Sequence, residues 1–216
     1  MIAVESRPLR IESHDMVFEP WIAHETIDRR VAQMAGHLAA RFAGESIRLV
    51  PILKGAKPFN DLLVAKLEAI TNGPASIDVD PIRVKSYAGT SSRELRWMKY
   101  PEFAANPKVH DILVEDIADS ARTLTAVEAH MRSEGPASLT SVVLLDRPAA
   151  RAEGIDYTPD VVGFELDNPD AWAIGFGLDL DERYRGLVDI YGKVGPDGEL
   201  PPPYRLPVLP EIAAAA

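Results

Sequence analysis

The most informative segment of the chain is Ile112-Leu113-Val114-Glu115-Asp116-Ile117-Ala118-Asp119-Ser120-Ala121-Arg122-Thr123-Leu124. An apolar run ends in two adjacent carboxylates, and a third carboxylate, hydroxylated residues and an amphipathic helix pattern follow. This order predicts a buried strand that carries acids to its C-terminal end, then a turn that opens onto a helix N-terminus. Ligands of open α/β sheets bind at such edges, and the amides of a helix N-terminus attract anions. A phosphorylated sugar fits this arrangement, because it offers both phosphate and hydroxyl groups.

The composition of the 216-residue chain is that of an ordinary globular protein. Hydrophobic residues make up 46% and charged residues 26%, which allows one domain with a substantial core. The net charge of −10 disfavours nucleic acid as a partner, since an acidic chain repels phosphate backbones. The absence of cysteine excludes thiolate catalysis and cysteine-based zinc sites. No apolar run reaches membrane-spanning length and no signal-peptide pattern is present, so we expect a cytoplasmic protein with no membrane partner.

Strands and helices alternate through the middle of the chain, which predicts an α/β fold with a parallel sheet covered on both faces. Helices are predicted at residues 24–42, 58–70 and 124–133. Strands are predicted at residues 47–53, 77–87, 95–98, 109–114, 139–145, 161–166 and 172–178. We expect a mobile loop at residues 88–94, a single domain over residues 1–194, and an extended or disordered Pro-rich tail over residues 195–216.

The segment at residues 112–124 resembles the phosphoribosyl-pyrophosphate (PRPP) signature of the type I phosphoribosyltransferases. Three further segments resemble the hypoxanthine-guanine phosphoribosyltransferase family, in the same order along the chain. They are the pyrophosphate loop Leu53-Lys54-Gly55-Ala56, the Ser86-Tyr87 mark of the flexible catalytic loop, and a purine-binding series from Leu144-Leu145-Asp146-Arg147-Pro148 to Asp179. The resemblance implies a central, mostly parallel sheet flanked by helices, with a small hood and a flexible loop.

The resemblance also implies an activity, in which a Mg²⁺-dependent enzyme converts hypoxanthine or guanine and PRPP to IMP or GMP and pyrophosphate. The implied catalytic residues are Asp119, Ser86 and Tyr87. Asp119 would accept or share the proton at the purine imidazole nitrogen, and the loop that carries Ser86 and Tyr87 would close over PRPP and exclude water. The implied partners are PRPP, a purine base and further copies of the chain in a homodimer or homotetramer.

The binding residues are carried over from the family position by position. Those for PRPP and its 5′-phosphate are Glu115, Asp116, Asp119, Ser120, Ala121, Arg122 and Thr123. Those for pyrophosphate are Leu53, Lys54, Gly55 and Arg185, and those for the base are Arg147, Trp172 and Ala173. The implied Mg²⁺ ligands are Glu115, Asp116 and Asp179. In this family the peptide bond before the lysine of the pyrophosphate loop can be cis.

The chain departs from the family pattern at three of these positions. Ala121 stands where the phosphate loop normally has glycine, Arg147 replaces a lysine, and Trp172 is bulkier than the usual phenylalanine or tyrosine. Two alternatives therefore stay open. One is phosphoribosyl transfer to xanthine or a specialised base, and the other is a non-catalytic module that binds PRPP or nucleotides and regulates another process. The retained acids Glu115 and Asp116 favour an enzyme.

Overall fold

The computed structural model describes residues 10–85, 96–99, 106–168 and 170–211. Within these ranges the helices are His24–Arg41 (α1), Lys57–Glu68 (α2) and Arg122–Glu134 (α3). The strands are Ile11–Ser13 (β1), Met16–Ile22 (β2), Ser46–Pro51 (β3), Ser76–Val79 (β4), Arg83–Lys85 (β5), Arg96–Lys99 (β6), Val109–Ala118 (β7), Ser138–Asp146 (β8), Val161–Glu165 (β9), Ala173–Ile174 (β10) and Ile190–Lys193 (β11).

The main sheet has five parallel strands in the order β4-β3-β7-β8-β9, which confirms the predicted parallel sheet. Successive residues of β7 enter cores on opposite faces, as the period of two in a strand requires. Ile112 and Val114 pack with α1 and α2, whereas Leu113 packs with α3. The two layers of helices therefore fix both faces of β7, the strand that carries the acidic segment.

The strand β7 is longer than predicted. The sequence pattern ends it at Val114, but pairing with β8 continues through Glu115 and Ile117 to Ala118. The prediction was wrong because hydrogen bonding to a central neighbour overrides the low strand propensity of acidic residues. The two adjacent carboxylates are therefore part of the sheet and not of the turn that follows it.

A second sheet, in the order β1-β2-β11-β10, is antiparallel and forms the hood that the family resemblance implies. Strands β1, β2 and β11 are not predicted by the sequence pattern, and β10 is shorter than the strand predicted at residues 172–178. That strand stops at Ile174 because Gly175, Phe176 and Gly177 all have positive φ, at 94°, 47° and 99°. Left-handed backbone cannot continue a strand, so the chain turns here towards the main sheet.

The predicted strand at residues 77–87 is divided in two. Pro81 lies between β4, which pairs with β3, and β5, which pairs with β6. Proline offers no amide hydrogen to a sheet, so the chain changes partners at this position. Residues 86–95, which include Ser86, Tyr87 and the predicted mobile loop, lie outside the described residues.

After a turn closed by the hydrogen bond from the Gly195 amide to the carbonyl oxygen of Glu199, the C-terminal segment reaches β9. Arg205 exchanges two backbone hydrogen bonds with Glu165, and the Tyr204 ring meets Phe164 edge-on at 5.0 Å between centroids. The buried guanidinium of Arg30 donates to the carbonyl oxygen of Pro207 at 2.6 Å and to two carbonyl oxygens of β9. The C-terminal segment thus covers the edge of the main sheet, and the domain boundary at residue 194 stays a prediction.

In the described part of the chain, no helix combines the length and apolarity needed to cross a membrane.

A buried ion pair joins β3 to β7 inside the sheet. Arg48 and Asp111 are opposite each other in the register, with Nη2 2.7 Å from Oδ1 and 2.8 Å from Oδ2. Burial raises the pKa of the Asp111 carboxyl, and Arg48 offsets part of that shift. The carboxylate is therefore tolerated inside the sheet because the guanidinium is beside it.

We expect Arg48→Met to lower the free energy of unfolding by about 3–5 kcal/mol, because it leaves Asp111 buried without this partner. The pKa of Asp111 then rises further, so the folded variant binds a proton more tightly than its unfolded chain does. Its stability must fall as the pH rises, and the loss measured by denaturant unfolding should be larger at about pH 8 than at about pH 5. The double variant Arg48→Met/Asp111→Leu should recover most of the stability. Equal losses in the single and double variants would contradict this account.

Candidate active site

A cavity of about 580 Å³ lies between the C-terminal ends of the parallel strands and the hood. The predicted site residues that line it are Leu53, Lys54, Gly55, Glu115, Asp116, Asp119, Ser120, Ala121, Thr123, Arg147, Trp172, Ala173, Asp179 and Arg185. Arg122 is exposed and is not part of the lining, while Ser86 and Tyr87 lie outside the described residues. Apolar residues that were not among the predicted site residues complete the walls, namely Ile52, Val84, Ile117, Leu124, Ala171 and Leu178.

Two buried carboxylates, Glu115 and Asp116, form the floor of the cavity. The amide of Asp116 donates to Glu115 Oε1 at 3.1 Å, and the amide of Ile117 donates to Asp116 Oδ1 at 2.9 Å. Burial raises the pKa of both carboxyls, and the neighbouring Asp116 raises that of Glu115 further. The nearby charge of Arg185 opposes these shifts. Among the described residues, neither acid has an ion pair with a basic side chain, so both are suited to hold a ligand that brings hydroxyl groups or positive charge.

Gly55 lies directly against the second of these acids. A Cβ atom at position 55 would be 1.9 Å from Asp116 Oδ2, far inside contact distance. On its other side, a Cβ atom at Gly177 would be 2.1 Å from the carbonyl oxygen of Gly55. The pyrophosphate loop is therefore held between β7 and the hood, and only glycine fits at both points. The peptide bond between Leu53 and Lys54 is cis.

The turn after β7 presents the N-terminus of α3 to the cavity. The helix begins at Arg122, two residues before its predicted start, and the amide of Thr125 donates to the carbonyl oxygen of Ala121 at 2.9 Å. The amides of the first turn have no acceptor within the helix, and the helix dipole adds partial positive charge there. Ser120, Ala121 and Thr123 line the cavity at this end, which is suited to a phosphate group.

Ala121 has φ 57° and ψ 8°, in the left-handed region that the usual glycine of this position adopts freely. This conformation costs an alanine about 1–2 kcal/mol. Replacement by glycine removes that strain, but it also increases the conformational entropy of the unfolded chain, so the net gain in the free energy of unfolding is smaller. We therefore expect Ala121→Gly to leave the free energy of unfolding unchanged or raise it by up to about 1 kcal/mol. The matched control is Ala126→Gly on the exposed side of α3, which should lower it by about 1 kcal/mol. Thermal unfolding of both variants checks the contrast, and two equal losses would contradict the left-handed backbone at Ala121.

Asp119 and Arg147 are paired with each other across the cavity. The guanidinium donates from Nε to Asp119 Oδ1 at 3.0 Å, and its Nη2 lies 2.6 Å from Oδ2. Nη1 donates to the carbonyl oxygen of Ala171. The Asp119 side chain is 44% exposed, so it stays open to a ligand while its orientation is fixed. A lysine in place of Arg147 could not form this two-point contact.

Arg151, which was not predicted from the sequence, holds the backbone of the turn after β7. Its guanidinium donates to the carbonyl oxygens of Ala118 at 2.7 Å and Asp119 at 2.8 Å. It also donates to the carbonyl oxygens of Arg147 and Tyr157 and pairs with the Asp146 carboxylate. No sequence signal separates this role from that of a surface arginine, because it depends on carbonyl groups from three segments of the chain.

The hood side of the cavity combines an aromatic wall with an ionic network. The Trp172 side chain is 47% exposed and lines the cavity, an unusual exposure for so large an apolar group. Arg185 pairs with Asp179 at 2.7 Å and donates to the carbonyl oxygen of Gly177 at 2.7 Å. Lys54 reaches across from the pyrophosphate loop to Glu182 at 2.7 Å, a contact that the sequence analysis did not predict.

A phosphoribosyl transferase domain model matches residues 23–182, and thus spans the acidic segment, the pyrophosphate loop and most of the cavity lining. The chain belongs to the phosphoribosyltransferase family. It is 33% identical over 169 residues to a hypoxanthine-guanine phosphoribosyltransferase of Bacillus subtilis (strain 168), covering 77% of this chain and 87% of that protein. The predicted family and fold are therefore confirmed.

Two further relatives extend the comparison. The chain is 32% identical over 177 residues to the bifunctional protein TilS/HprT of Listeria innocua. This match covers 81% of the chain but only 26% of that protein, so the chain spans about a quarter of the relative's length. A solved hypoxanthine phosphoribosyltransferase from Trypanosoma cruzi, in complex with the product IMP, superposes with a TM-score of 0.74 at 30% identity. That match covers 87% of this chain and 98% of the other.

Proposed function

We propose that the chain is a Mg²⁺-dependent purine phosphoribosyltransferase that converts hypoxanthine or guanine and PRPP to IMP or GMP and pyrophosphate. The observation that carries the proposal is a single cavity lined by two buried acids, a helix N-terminus, the adjacent Lys54 and Gly55, and the exposed aromatic side chain of Trp172. Each of these matches one part of the substrates, namely ribose hydroxyls, 5′-phosphate, pyrophosphate and base. The named relatives, which include hypoxanthine and hypoxanthine-guanine phosphoribosyltransferases, support the same choice.

The donor set on the floor of the cavity fits Mg²⁺. The ion prefers carboxylate oxygen, and it is usually held by one or two carboxylates together with substrate phosphates. Glu115 and Asp116 supply such a pair, and a bound cation would offset the effect of burial, which raises the pKa of both carboxyls. Asp179 would first have to exchange its ion pair with Arg185. Within the ranges that the structure describes, no group of three or more His, Asp or Glu side chains is placed to hold a metal ion, so substrate oxygens and water would complete the coordination.

In the proposed reaction, each residue has a task that its surroundings support. Glu115 and Asp116 hold the ribose hydroxyls, directly or through Mg²⁺, and the first turn of α3 holds the 5′-phosphate. Lys54 and Arg185 stabilise the negative charge on the departing pyrophosphate. Mg²⁺, when bound, supplies further positive charge to that leaving group. The loop with Ser86 and Tyr87 keeps its predicted role of closing over PRPP and excluding water.

Asp119 accepts or shares the proton at the imidazole nitrogen of the base as the new glycosidic bond forms. The two-point contact with Arg147 fixes the orientation of the Asp119 carboxylate, and its 44% exposure leaves it open to the acceptor base. The same guanidinium has N–H groups left over for the 6-oxo group of the purine, and Trp172 stacks on the base. The residues that touch the base are thus held before it arrives.

The guanidinium of Arg147 also supports a second candidate, transfer to xanthine. A planar guanidinium attracts a base with two oxo groups and anionic character more strongly than a neutral one. A panel of bases separates the two candidates. The homodimer or homotetramer expected from the family stays a prediction, which sedimentation measures.

Binding of PRPP tests the sugar-phosphate half of the proposal. We expect PRPP with Mg²⁺ to raise the melting temperature of the wild type, and the double variant Glu115→Gln/Asp116→Asn to lose that response. The variant itself should melt at a higher temperature than the wild type without ligand, because two buried charges are removed. The matched control Glu12→Gln, an exposed acid of the hood, should keep the response. A response to PRPP that persists in the double variant would contradict the role of these acids.

A further inference from the structure

The carboxylate of Glu182 lies between two basic side chains that the proposed function assigns to pyrophosphate. Lys54 Nζ is 2.7 Å from Glu182 Oε2, and Arg185 Nη2 is 3.8 Å from Glu182 Oε1. The hydrogen bond from Lys54 lowers the pKa of the Glu182 carboxyl, which keeps it ionised. A negatively charged carboxylate therefore lies beside both basic side chains.

The backbone of the hood turn holds Glu182 in this place. Its amide donates to Asp179 Oδ2 at 2.8 Å, so the turn is attached to the carboxylate that also pairs with Arg185. Asp181, Glu182 and Tyr184 all have positive φ, at 51°, 62° and 71°. Non-glycine residues adopt such backbone at a cost, and three of them in four positions persist only where the surrounding contacts determine the turn.

We propose that Glu182, which lies beside the cavity lining, is an anion that competes with pyrophosphate for Lys54 and Arg185, and that it weakens the binding of pyrophosphate and of the pyrophosphate group of PRPP. This inference rests on the proposed function, since that function makes Lys54 and Arg185 the pyrophosphate contacts. Pyrophosphate displaces the carboxylate because it brings more negative charge and more acceptor oxygens. When pyrophosphate leaves, Glu182 returns to the two cations, so the residue favours release of the product.

The size of the effect follows from the exposure of the pair. The side chains of Lys54 and Glu182 are 51% and 63% exposed, and ion pairs at this level of exposure are weak. Loss of the competing charge should therefore tighten pyrophosphate binding by about two- to five-fold. The gain should shrink as salt concentration rises, because salt screens exposed charges.

The test is the dissociation constant of inorganic pyrophosphate, measured by calorimetry at fixed Mg²⁺ for the wild type and for Glu182→Gln. The matched control is Asp181→Asn, which removes the same charge from the same turn but contacts His14 instead of Lys54. We expect the two- to five-fold gain in Glu182→Gln alone. In turnover assays, pyrophosphate should inhibit this variant more strongly, while the KM for the base stays unchanged.

Unchanged or weaker pyrophosphate binding in Glu182→Gln would overturn the proposal, and so would an equal gain in Asp181→Asn. The outcome is separable from the proposed function. A wild type that forms no nucleotide but shows the difference in pyrophosphate binding refutes the function and supports the role of Glu182. A wild type that forms nucleotide, with equal pyrophosphate binding in all three proteins, supports the function and refutes that role.

Discussion

Asp119→Asn should lower the turnover number of nucleotide formation by about 10²- to 10⁴-fold, the usual contribution of a general base. The substitution preserves the shape of the side chain but removes the negative charge that accepts the proton. It also weakens the two-point contact that orients Arg147. Because the effect lies in the chemical step, the dissociation constant of PRPP should change far less than the turnover number.

Steady-state and single-turnover kinetics with hypoxanthine or guanine measure this difference. The matched control is Asp170→Asn, an exposed acid next to Ala171 at the wall of the cavity, which should retain wild-type turnover. Near-normal turnover in Asp119→Asn would remove Asp119 from the mechanism.

Gly55→Ala should reduce PRPP binding by at least about ten-fold and lower the free energy of unfolding by about 1–3 kcal/mol, the usual range for overpacking. The added Cβ atom would be 1.9 Å from Asp116 Oδ2, so either the buried carboxylate or the pyrophosphate loop must move. Either movement separates the acid from Lys54, and the two halves of the PRPP site then no longer face each other. Calorimetric titration with PRPP and denaturant unfolding measure the two effects.

The control for this variant is Gly36→Ala inside α1, where a Cβ atom has no neighbour within 4 Å. This change should stabilise the protein by up to about 1 kcal/mol and leave PRPP binding unaltered, since alanine is the better helix former. Wild-type PRPP binding in Gly55→Ala would contradict the close packing of the loop against Asp116.

The acidic segment and the parallel sheet could be predicted because their signals are local. An apolar run followed by acids, hydroxyls and a helical period predicts a strand, a turn and a helix in that order, and the structure has β7, the turn at Ala121 and α3 there. The residues placed around the cavity by family resemblance, such as Lys54 and Arg147, also lie on its wall. The first group was found from neighbours in sequence, and the second from motifs that the chain shares with its family.

The parts that were missed depend on contacts between distant segments. Arg151 matters mainly through the carbonyl groups of Ala118 and Asp119, 33 and 32 positions away, and Glu182 through a lysine 128 positions away in the chain. The strand β10 ends earlier than predicted for a local reason, the left-handed backbone at Gly175, Phe176 and Gly177. The predicted end of β7 was wrong because pairing with β8 prolongs the strand. Sequence patterns contain no record of these partners.

Nucleotide formation from PRPP and Mg²⁺, with hypoxanthine, guanine, xanthine and adenine offered separately, tests the central claim most directly. The account predicts turnover with hypoxanthine or guanine, release of pyrophosphate, and loss of both when Mg²⁺ is chelated. Turnover with xanthine alone would instead assign the selectivity to the guanidinium of Arg147. No turnover with any base, despite measurable PRPP binding, would contradict the account and leave a module that binds PRPP without transferring its sugar.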